Sequence, residues 1–238
     1  MAEIKSILST LIYAFFPKRC SFCNNVISPS VDICNVCKKS IPYVKPPICM
    51  TCGRGKEECL CKGKQIFYTC LSAPFYYENE VKKCILNFKF YSKISNAKIL
   101  ANEMAKTARC NYGQKAFDII TYVPLTNESL KIRGYNQSLL LALEVGKILK
   151  LKPPMNIISK IYDTPAQHTM NSSMRKGNLA GVFEITDPES VKDKTILLCD
   201  DIATTGATLN ECAKMLVLSG AKEVCCLTAA VTRKNSIA

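Results

Sequence analysis

The rhythm of apolar positions changes twice along this chain. Ile4, Ile7, Leu8, Leu11, Ile12, Phe15 and Phe16 recur at helical spacing, which predicts an amphipathic helix within residues 1–19. Residues 20–64 lose that periodicity and gather eight cysteines and four prolines. From Ile66 onward, strand-type and helix-type runs alternate. Phe75–Phe90 begins as a strand and then places Val81, Cys84, Ile85 and Phe88 on one helical face. Phe117–Val123 reads as a buried strand stopped by Pro124, and Gln137–Leu149 as a helix closed by Lys150 and Pro153-Pro154. Thr195–Cys199 is another buried strand, Leu209–Leu218 a helix ending at Gly220, and Glu223–Val231 a last strand. Such alternation predicts an α/β fold: a mainly parallel sheet with helices on both faces, preceded by a small cysteine-rich module. The expected division is 1–64 for the helix and cysteine module and 65–238 for the α/β domain.

Composition sharpens this picture. At 238 residues the chain has room for one sizeable core and one small module, and no apolar run reaches the roughly 18 residues that span a bilayer. Glu3 and Lys5 interrupt the N-terminus, and no small-residue cleavage site follows Phe16, so the segment does not read as a signal peptide. The expectation is a cytoplasmic chain with reduced thiols. The N-terminal helix either docks on the protein's own core or lies on a membrane surface with Pro17-Lys18-Arg19 near the headgroups.

Among the fifteen cysteines, eight have metal-ligand spacing: Cys20-x2-Cys23 with Cys34-x2-Cys37, and Cys49-x2-Cys52 with Cys59-x-Cys61. A CxxC turn brings two sulfurs to one ion from a single tight loop, and two loops complete a tetrahedron. Gly53 fits the knuckle turn after the third pair. Sequential pairing into two zinc sites is the simplest arrangement, and interleaved pairing stays open. Four thiolates leave no vacant ligand position, so the zinc is structural, folding a segment too small to bury a core. Cys70, Cys84, Cys110, Cys199, Cys212, Cys225 and Cys226 lack the spacing and are expected in the core.

The net charge of +13 divides as 10 Lys/Arg against 4 Asp/Glu in residues 1–64, and 22 against 15 thereafter. A zinc ion on four thiolates carries about −2, so two sites bring the N-terminal module down to about +2. The basic surplus then lies in the larger domain, where it suits nucleic acid or a polyphosphate. Lys82, Lys83, Lys89, Lys93 and Lys98 form a run that could track a phosphate backbone, with Phe88, Phe90 and Tyr91 stacking on bases. An ordinary solvated helix face with buried aromatics is the alternative.

The most informative stretch is Ile196-Leu-Leu-Cys-Asp-Asp-Ile-Ala-Thr-Thr-Gly-Ala-Thr208. A buried strand delivers Asp200 and Asp201 to the carboxyl edge of the sheet, and a helix begins near Thr208. The loop residues Ala203, Thr204, Thr205, Gly206, Ala207 and Thr208 offer hydroxyls, free N–H groups and close backbone approach, a cradle for a phosphate. Paired carboxylates beside such a cradle repel one another unless they accept from sugar hydroxyls or approach a metal ion. Phosphate and ribose together are the ligand this combination specifies.

This stretch resembles the ribose 5-phosphate signature of type I phosphoribosyltransferases. Val123-Pro-Leu, Arg133-Gly-Tyr-Asn-Gln137, Thr164-x2-Gln167, Arg175-x2-Asn178, Gly181-Val-Phe183, Phe16-Pro-x2-Cys20-x2-Cys23 and Phe88-Lys-Phe90 narrow the resemblance to ComF-type competence proteins. The resemblance implies a type I phosphoribosyltransferase-like twisted sheet and phosphoribosyl pyrophosphate (PRPP) with Mg²⁺ as ligand. It places Asp200 and Asp201 at the ribose, as the catalytic pair if transfer occurs. It also implies single-stranded DNA handling in natural transformation, with a competence helicase as a conceivable partner. Two departures stand out. Thr204 occupies the position where purine-salvage members place an Asp, and a hydroxyl is no general base at neutral pH. The loop Thr126-Asn-Glu-Ser129 lacks the usual pyrophosphate-gripping cations, leaving Lys131 and Arg133 nearest. Two classes therefore stand side by side: a DNA-handling binder of PRPP or a nucleotide 5′-phosphate, and an active transferase moving ribose 5-phosphate to a nitrogen acceptor. His168, the single histidine, falls in a polar stretch and is expected in a loop.

Overall fold

The computed structural model describes residues 13, 15–59, 61, 65–91, 93–161 and 182–233. Most of the expected N-terminal helix lies outside that set, as do Thr164–Gln167, His168 and Arg175–Asn178. Two long strands, β6 (Thr195–Ala203) and β7 (Glu223–Val231), form the centre of a parallel sheet. Both are buried along almost their whole length, which is why their sequences are nearly continuous apolar runs rather than alternating ones. On one side β7 pairs with β1 (Cys70–Ser72) and then with β2 (Phe75–Tyr76). Pro74 separates these two short strands, as expected of a residue with no N–H to give to a ladder. On the other side β6 pairs with β3 (Ile119–Tyr122). Both edges are covered: Tyr76 N donates to Pro42 O at 2.8 Å beside β2, and Met155 N to Ile120 O at 3.0 Å beside β3.

Helices occupy both faces. After the short helix α1 (Asn35–Ser40) of the cysteine module, α2 (Asn79–Phe90) buries Val81, Cys84, Ile85 and Phe88, the stripe its sequence predicts. With α3 (Asn96–Tyr112) and α5 (Gln137–Leu149) it closes one core, which includes Leu100, Met104, Ile120 and Leu141. Truncating any of these four to Ala would cost about 2–5 kcal/mol. The opposite face packs under α7 (Ala207–Leu218), α6 (Pro188–Val191) and an antiparallel pair, β4 (Ile158–Lys160) with β5 (Phe183–Ile185). Among the described residues no helix is long and apolar enough to cross a membrane.

Several features depart from expectation. The segment after Val123-Pro-Leu is a helix, α4 (Asn127–Arg133), rather than an open loop: Thr126 caps it by accepting from Ser129 N at 3.1 Å. The long α3 and the β4–β5 pair were not anticipated. Of the seven cysteines expected inside, Cys110 is exposed and the other six are buried. The aromatics of the basic run divide. Phe88 is fully buried and cannot stack on a base, whereas Phe90 and Tyr91 are exposed.

Candidate functional site

The site begins where β3 stops. Tyr122 pairs with Cys199, and Val123 N donates to Cys199 O, so the last four residues of β6 overhang the sheet on that side. The overhang carries Asp200 and Asp201 into a space floored by the ends of α2 and α5. Ser138 at the start of α5 donates its hydroxyl to Asp200 Oδ1 at 2.7 Å, and Asp201 N donates to the same oxygen at 2.8 Å. Lys89, near the end of α2, places its ammonium 2.8 Å from Asp201 Oδ2, with both side chains largely buried. One cation thus faces two carboxyl groups. Burial and then the charge of Asp201 push the Asp200 carboxyl up to about 7, against the pull of Ser138 and Lys89. Burial disfavours the Lys89 ammonium, but the charge and hydrogen bond of Asp201, with the charge of Asp200, outweigh it and hold Lys89 above the usual lysine range.

The Arg133–Gln137 segment shapes this floor. Gly134 ends α4 in the left-handed region at φ 77°, where a side chain would be strained. The Tyr135 hydroxyl donates to Phe88 O, Asn136 Nδ2 donates to Val123 O at 3.1 Å, and the Asn136 carbonyl side chain caps α5 by accepting from Ser138 N and Leu139 N. Buried Gln137 reaches Lys89 O at 3.4 Å. The segment ties α2, β3 and α5 together around the acidic pair. Arg133 donates to Gln137 Oε1 at 3.2 Å, lies 5.7 Å from the Phe90 ring, and is near enough for its charge to oppose that of Lys89. Lys131 is exposed on α4.

After Ala203 the chain turns through Thr204 and Thr205 to Gly206, whose φ of 78° opens α7 with no side-chain cap. The helix start therefore presents its N–H groups to the loop. Thr205 Oγ1 accepts from Ala207 N at 3.3 Å. The loop is held from beneath by residues the sequence reading missed. Arg54 is buried and donates to Thr204 O at 2.7 Å and to Thr232 O at 2.5 Å. The Tyr68 hydroxyl lies where a Cβ on Gly206 would meet it at 3.4 Å. No local pattern marks these partners, and Arg54 lies 150 or more residues from the groups it holds. Of the lysines expected to track DNA, Lys89 belongs to the acidic site instead, because its inward position on α2 brings it to Asp201. Lys83 pairs with Glu80 at 3.0 Å and exposed Lys82 lies over Tyr77.

The eight spaced cysteines form two sequential groups, Cys20, Cys23, Cys34 and Cys37, and Cys49, Cys52, Cys59 and Cys61, so the pairing is not interleaved. Within each group the sulfurs lie within 4.8 Å of one another, and a tetrahedron of Zn–S bonds of about 2.3 Å requires sulfurs about 3.8 Å apart. The groups fit zinc. The first CxxC of each group is followed by a turn through positive φ, at Asn24 (65°) and Gly53 (70°). Cys34 N donates to Cys20 Sγ at 3.4 Å, a contact that favours the Cys20 thiolate, and Cys37 N donates to Cys34 Sγ at 3.3 Å.

Comparison with known proteins agrees with both halves. Residues 11–71 match the family model of the double zinc ribbon domain and residues 137–236 that of the phosphoribosyl transferase domain. The chain is 29% identical over 208 residues to DNA utilization protein YhgH of Salmonella typhimurium, covering 86% of each. It is 27% identical over 220 residues to Competence protein F of Haemophilus influenzae, covering 88% of this chain and 95% of that one. Competence protein ComFC of Bacillus subtilis is 23% identical, with 82% of each covered. The chain is homologous to proteins named for competence and for DNA utilization. The chain itself carries a double zinc ribbon, whose two thiolate groups call for structural zinc, and a phosphoribosyl transferase domain on a parallel sheet. A solved chain titled as the allosteric regulatory enzyme of purine biosynthesis aligns at a TM-score of 0.42 and 17% identity, covering 60% of this chain and 30% of its own, too loosely to bear on function.

Proposed function

We propose that this ComF homologue binds PRPP, or the 5′-phosphate of a nucleotide or DNA end, at residues 203–208, and that it serves single-stranded DNA handling in natural transformation. One observation carries the reading: the β6 overhang sets Asp200 and Asp201 immediately before the start of α7, which is entered through Gly206 with no side chain at the N-cap. In this reading the N–H groups and the hydroxyls of Thr205 and Thr208 hold the phosphate, and Asp200 and Asp201 take the ribose hydroxyls. The same two carboxyls are the groups suited to Mg²⁺ arriving with PRPP. In this reading Lys131 and Arg133 are the cations that would meet a pyrophosphate. Residues 1–64 are the metal-binding module and 65–238 the ligand domain, in a reducing cytoplasm that suits the free thiols.

Transfer of ribose 5-phosphate to a nitrogen acceptor would use this same site, with Asp200, held near neutrality, as the group able to exchange a proton. Titration of Mg²⁺·PRPP into wild type, Thr205→Val and Gly206→Leu by calorimetry tests the reading. Wild type should bind, and the variants should lose at least about tenfold through a missing donor or a blocked approach at positive φ. Equal affinity in all three proteins would remove the site. A parallel titration with a single-stranded oligonucleotide should weaken steeply with salt, by about 0.7 in log K per log salt for each phosphate neutralised. Pyrophosphate release without DNA binding would instead favour the transferase.

A further inference from the structure

The second cysteine group is tied by hydrogen bonds, through Arg54, to the loop assigned to the phosphate. Arg54 follows Cys52 and Gly53 directly, and Cys49 N donates to Arg54 O at 2.7 Å, so the knuckle that gathers two zinc ligands also fixes the arginine backbone. The Arg54 side chain is 3% exposed. Its Nε donates to Thr232 O at 2.5 Å, and its Nη2 to Thr204 O at 2.7 Å and to Thr232 Oγ1 at 3.2 Å. Thr232 Oγ1 in turn donates to Thr204 O at 3.1 Å. All of these acceptors are neutral. A buried guanidinium on neutral oxygens is costly unless anions lie nearby, and a zinc tetrathiolate two residues away supplies about −2. A phosphate dianion on the other side of the loop would supply more.

A second link is independent of Arg54. Tyr68 donates its hydroxyl to Thr51 O, inside the Cys49–Cys52 knuckle, at 2.8 Å. The same oxygen sits under Gly206 at 3.4 Å from an ideal Cβ position. Gly53 itself packs against Leu71 and Val231, each 3.3 Å from its ideal Cβ, so the knuckle rests on β1 and the carboxyl end of β7. Among the described residues the first ribbon has no such link to the 204–206 turn. It packs Cys20, Phe22 and Cys37 on the α2 side of the core, and reaches the α2–α3 connection through Lys93 Nζ to Asn24 Oδ1 at 2.6 Å.

We propose that Arg54 is a positioning residue for the 204–206 turn, and that the second cysteine group sets the turn through Arg54 and Tyr68. Metal loss at that group would then loosen the ligand loop, whereas loss at the first group would not. The consequence for ligand rests on the functional reading above; the consequence for the loop does not.

The test separates the two. Amide exchange at residues 203–208 is followed in ligand-free protein, with α5 and β3 as internal controls, alongside Mg²⁺·PRPP titration and zinc content. Arg54→Met should speed exchange at 203–208 by about ten- to a hundredfold, because a buried carbonyl loses its charged donor, while α5 and β3 hold. Arg54→Lys should recover only part, since one ammonium cannot reproduce the guanidinium fork. Tyr68→Phe should give a smaller acceleration at 206–208. If Arg54→Met does not fold, Tyr68→Phe with Arg54→Lys decides. Cys59→Ser should lose about one zinc and loosen the loop, and Cys34→Ser should lose about one zinc and leave the loop as it was. Unchanged loop exchange in the Arg54, Tyr68 and Cys59 variants, or equal loosening by Cys34→Ser, overturns the proposal. If exchange changes as expected but wild type ignores Mg²⁺·PRPP, the positioning role stands and the assignment of the ligand falls.

Discussion

Lys89→Met tests the balance of charge at the acidic site. The wild-type ammonium lies 2.8 Å from Asp201 Oδ2, with side-chain exposures of 18% and 10%. Unit charges about 4 Å apart attract by about 4 kcal/mol at an effective dielectric near 20, and breaking a buried pair typically costs about 3–5 kcal/mol. Water at the mouth of the site and protonation of Asp200, already pushed up to about 7, absorb part of this. The expected loss is therefore about 3 kcal/mol, read as a lower urea midpoint at pH 8 with an unchanged slope. The methylene stem is retained in Met, so lost packing contributes little. Two further outcomes belong to the same reasoning. Adding Asp201→Asn should restore most of the loss, since the stranded carboxylate is the cause. Moving to pH 5, where Asp200 is protonated, should shrink the deficit. A loss under about 0.5 kcal/mol, or a double variant no better than the single, would show that the pair is not the electrostatic keystone of the site.

Two predictions concern metal and proton. Gently purified protein should carry close to two zinc ions per chain by elemental analysis; none would refute both sites, and one would leave a single ribbon. Asp200 titrates at about 7 in the fold against an ordinary 3.8, so the folded chain holds the extra proton between those values. Its contribution to stability falls as pH rises from about 4 to 7, by an amount on the order of 4 kcal/mol, and is level above. Asp200→Asn should accordingly stabilise the protein at pH 8 and not at pH 4, by thermal melting, while Mg²⁺·PRPP affinity in wild type should climb with pH up to about 7. Affinity that falls over that range would mean that Asp200 serves its ligand as a protonated donor.

What could be read from the sequence was whatever depends on local pattern. The buried faces of α2, α5 and β7 follow from spacing alone, and the cysteine groups from the reach of a CxxC turn. The Asp200–Thr208 loop was legible because its chemistry is contiguous. The α3 helix was not read although it had a signal: its face is built of Ala97, Ala101, Ala105 and Ala108 with Leu100 and Met104, small residues that raise little amphipathic contrast. The capping of α4 by Thr126 was hidden for another reason, since Thr126-Asn-Glu-Ser129 is as good a loop as a helix start until Leu130 and Ile132 are weighed. Arg54 and Tyr68 had no local signal, because the Thr204–Gly206 turn they support comes from the far end of the chain.

Lys89 is the informative case, because helical spacing alone distinguishes it from its neighbours. It stands four residues after Ile85 and eight after Val81, on the stripe that α2 turns inward, whereas Lys82 and Lys83 fall between stripe positions. Grouping all three as a track for a phosphate backbone therefore joined residues on different faces of one helix. A DNA backbone laid over Lys82 and Lys83 runs along the outer surface of α2, and its phosphates would meet carboxyls if it turned toward Lys89. The acidic site can admit a sugar phosphate only through its hydroxyls or with a divalent cation, while the outer face needs neither. Lys82→Glu with Lys83→Glu should thus reduce both the affinity for single-stranded DNA and its salt slope, leaving Mg²⁺·PRPP binding as in wild type. Lys89→Met should do the reverse. If the outer substitutions weaken both ligands equally, the two surfaces are one site, and the division of α2 into an inner and an outer role is wrong.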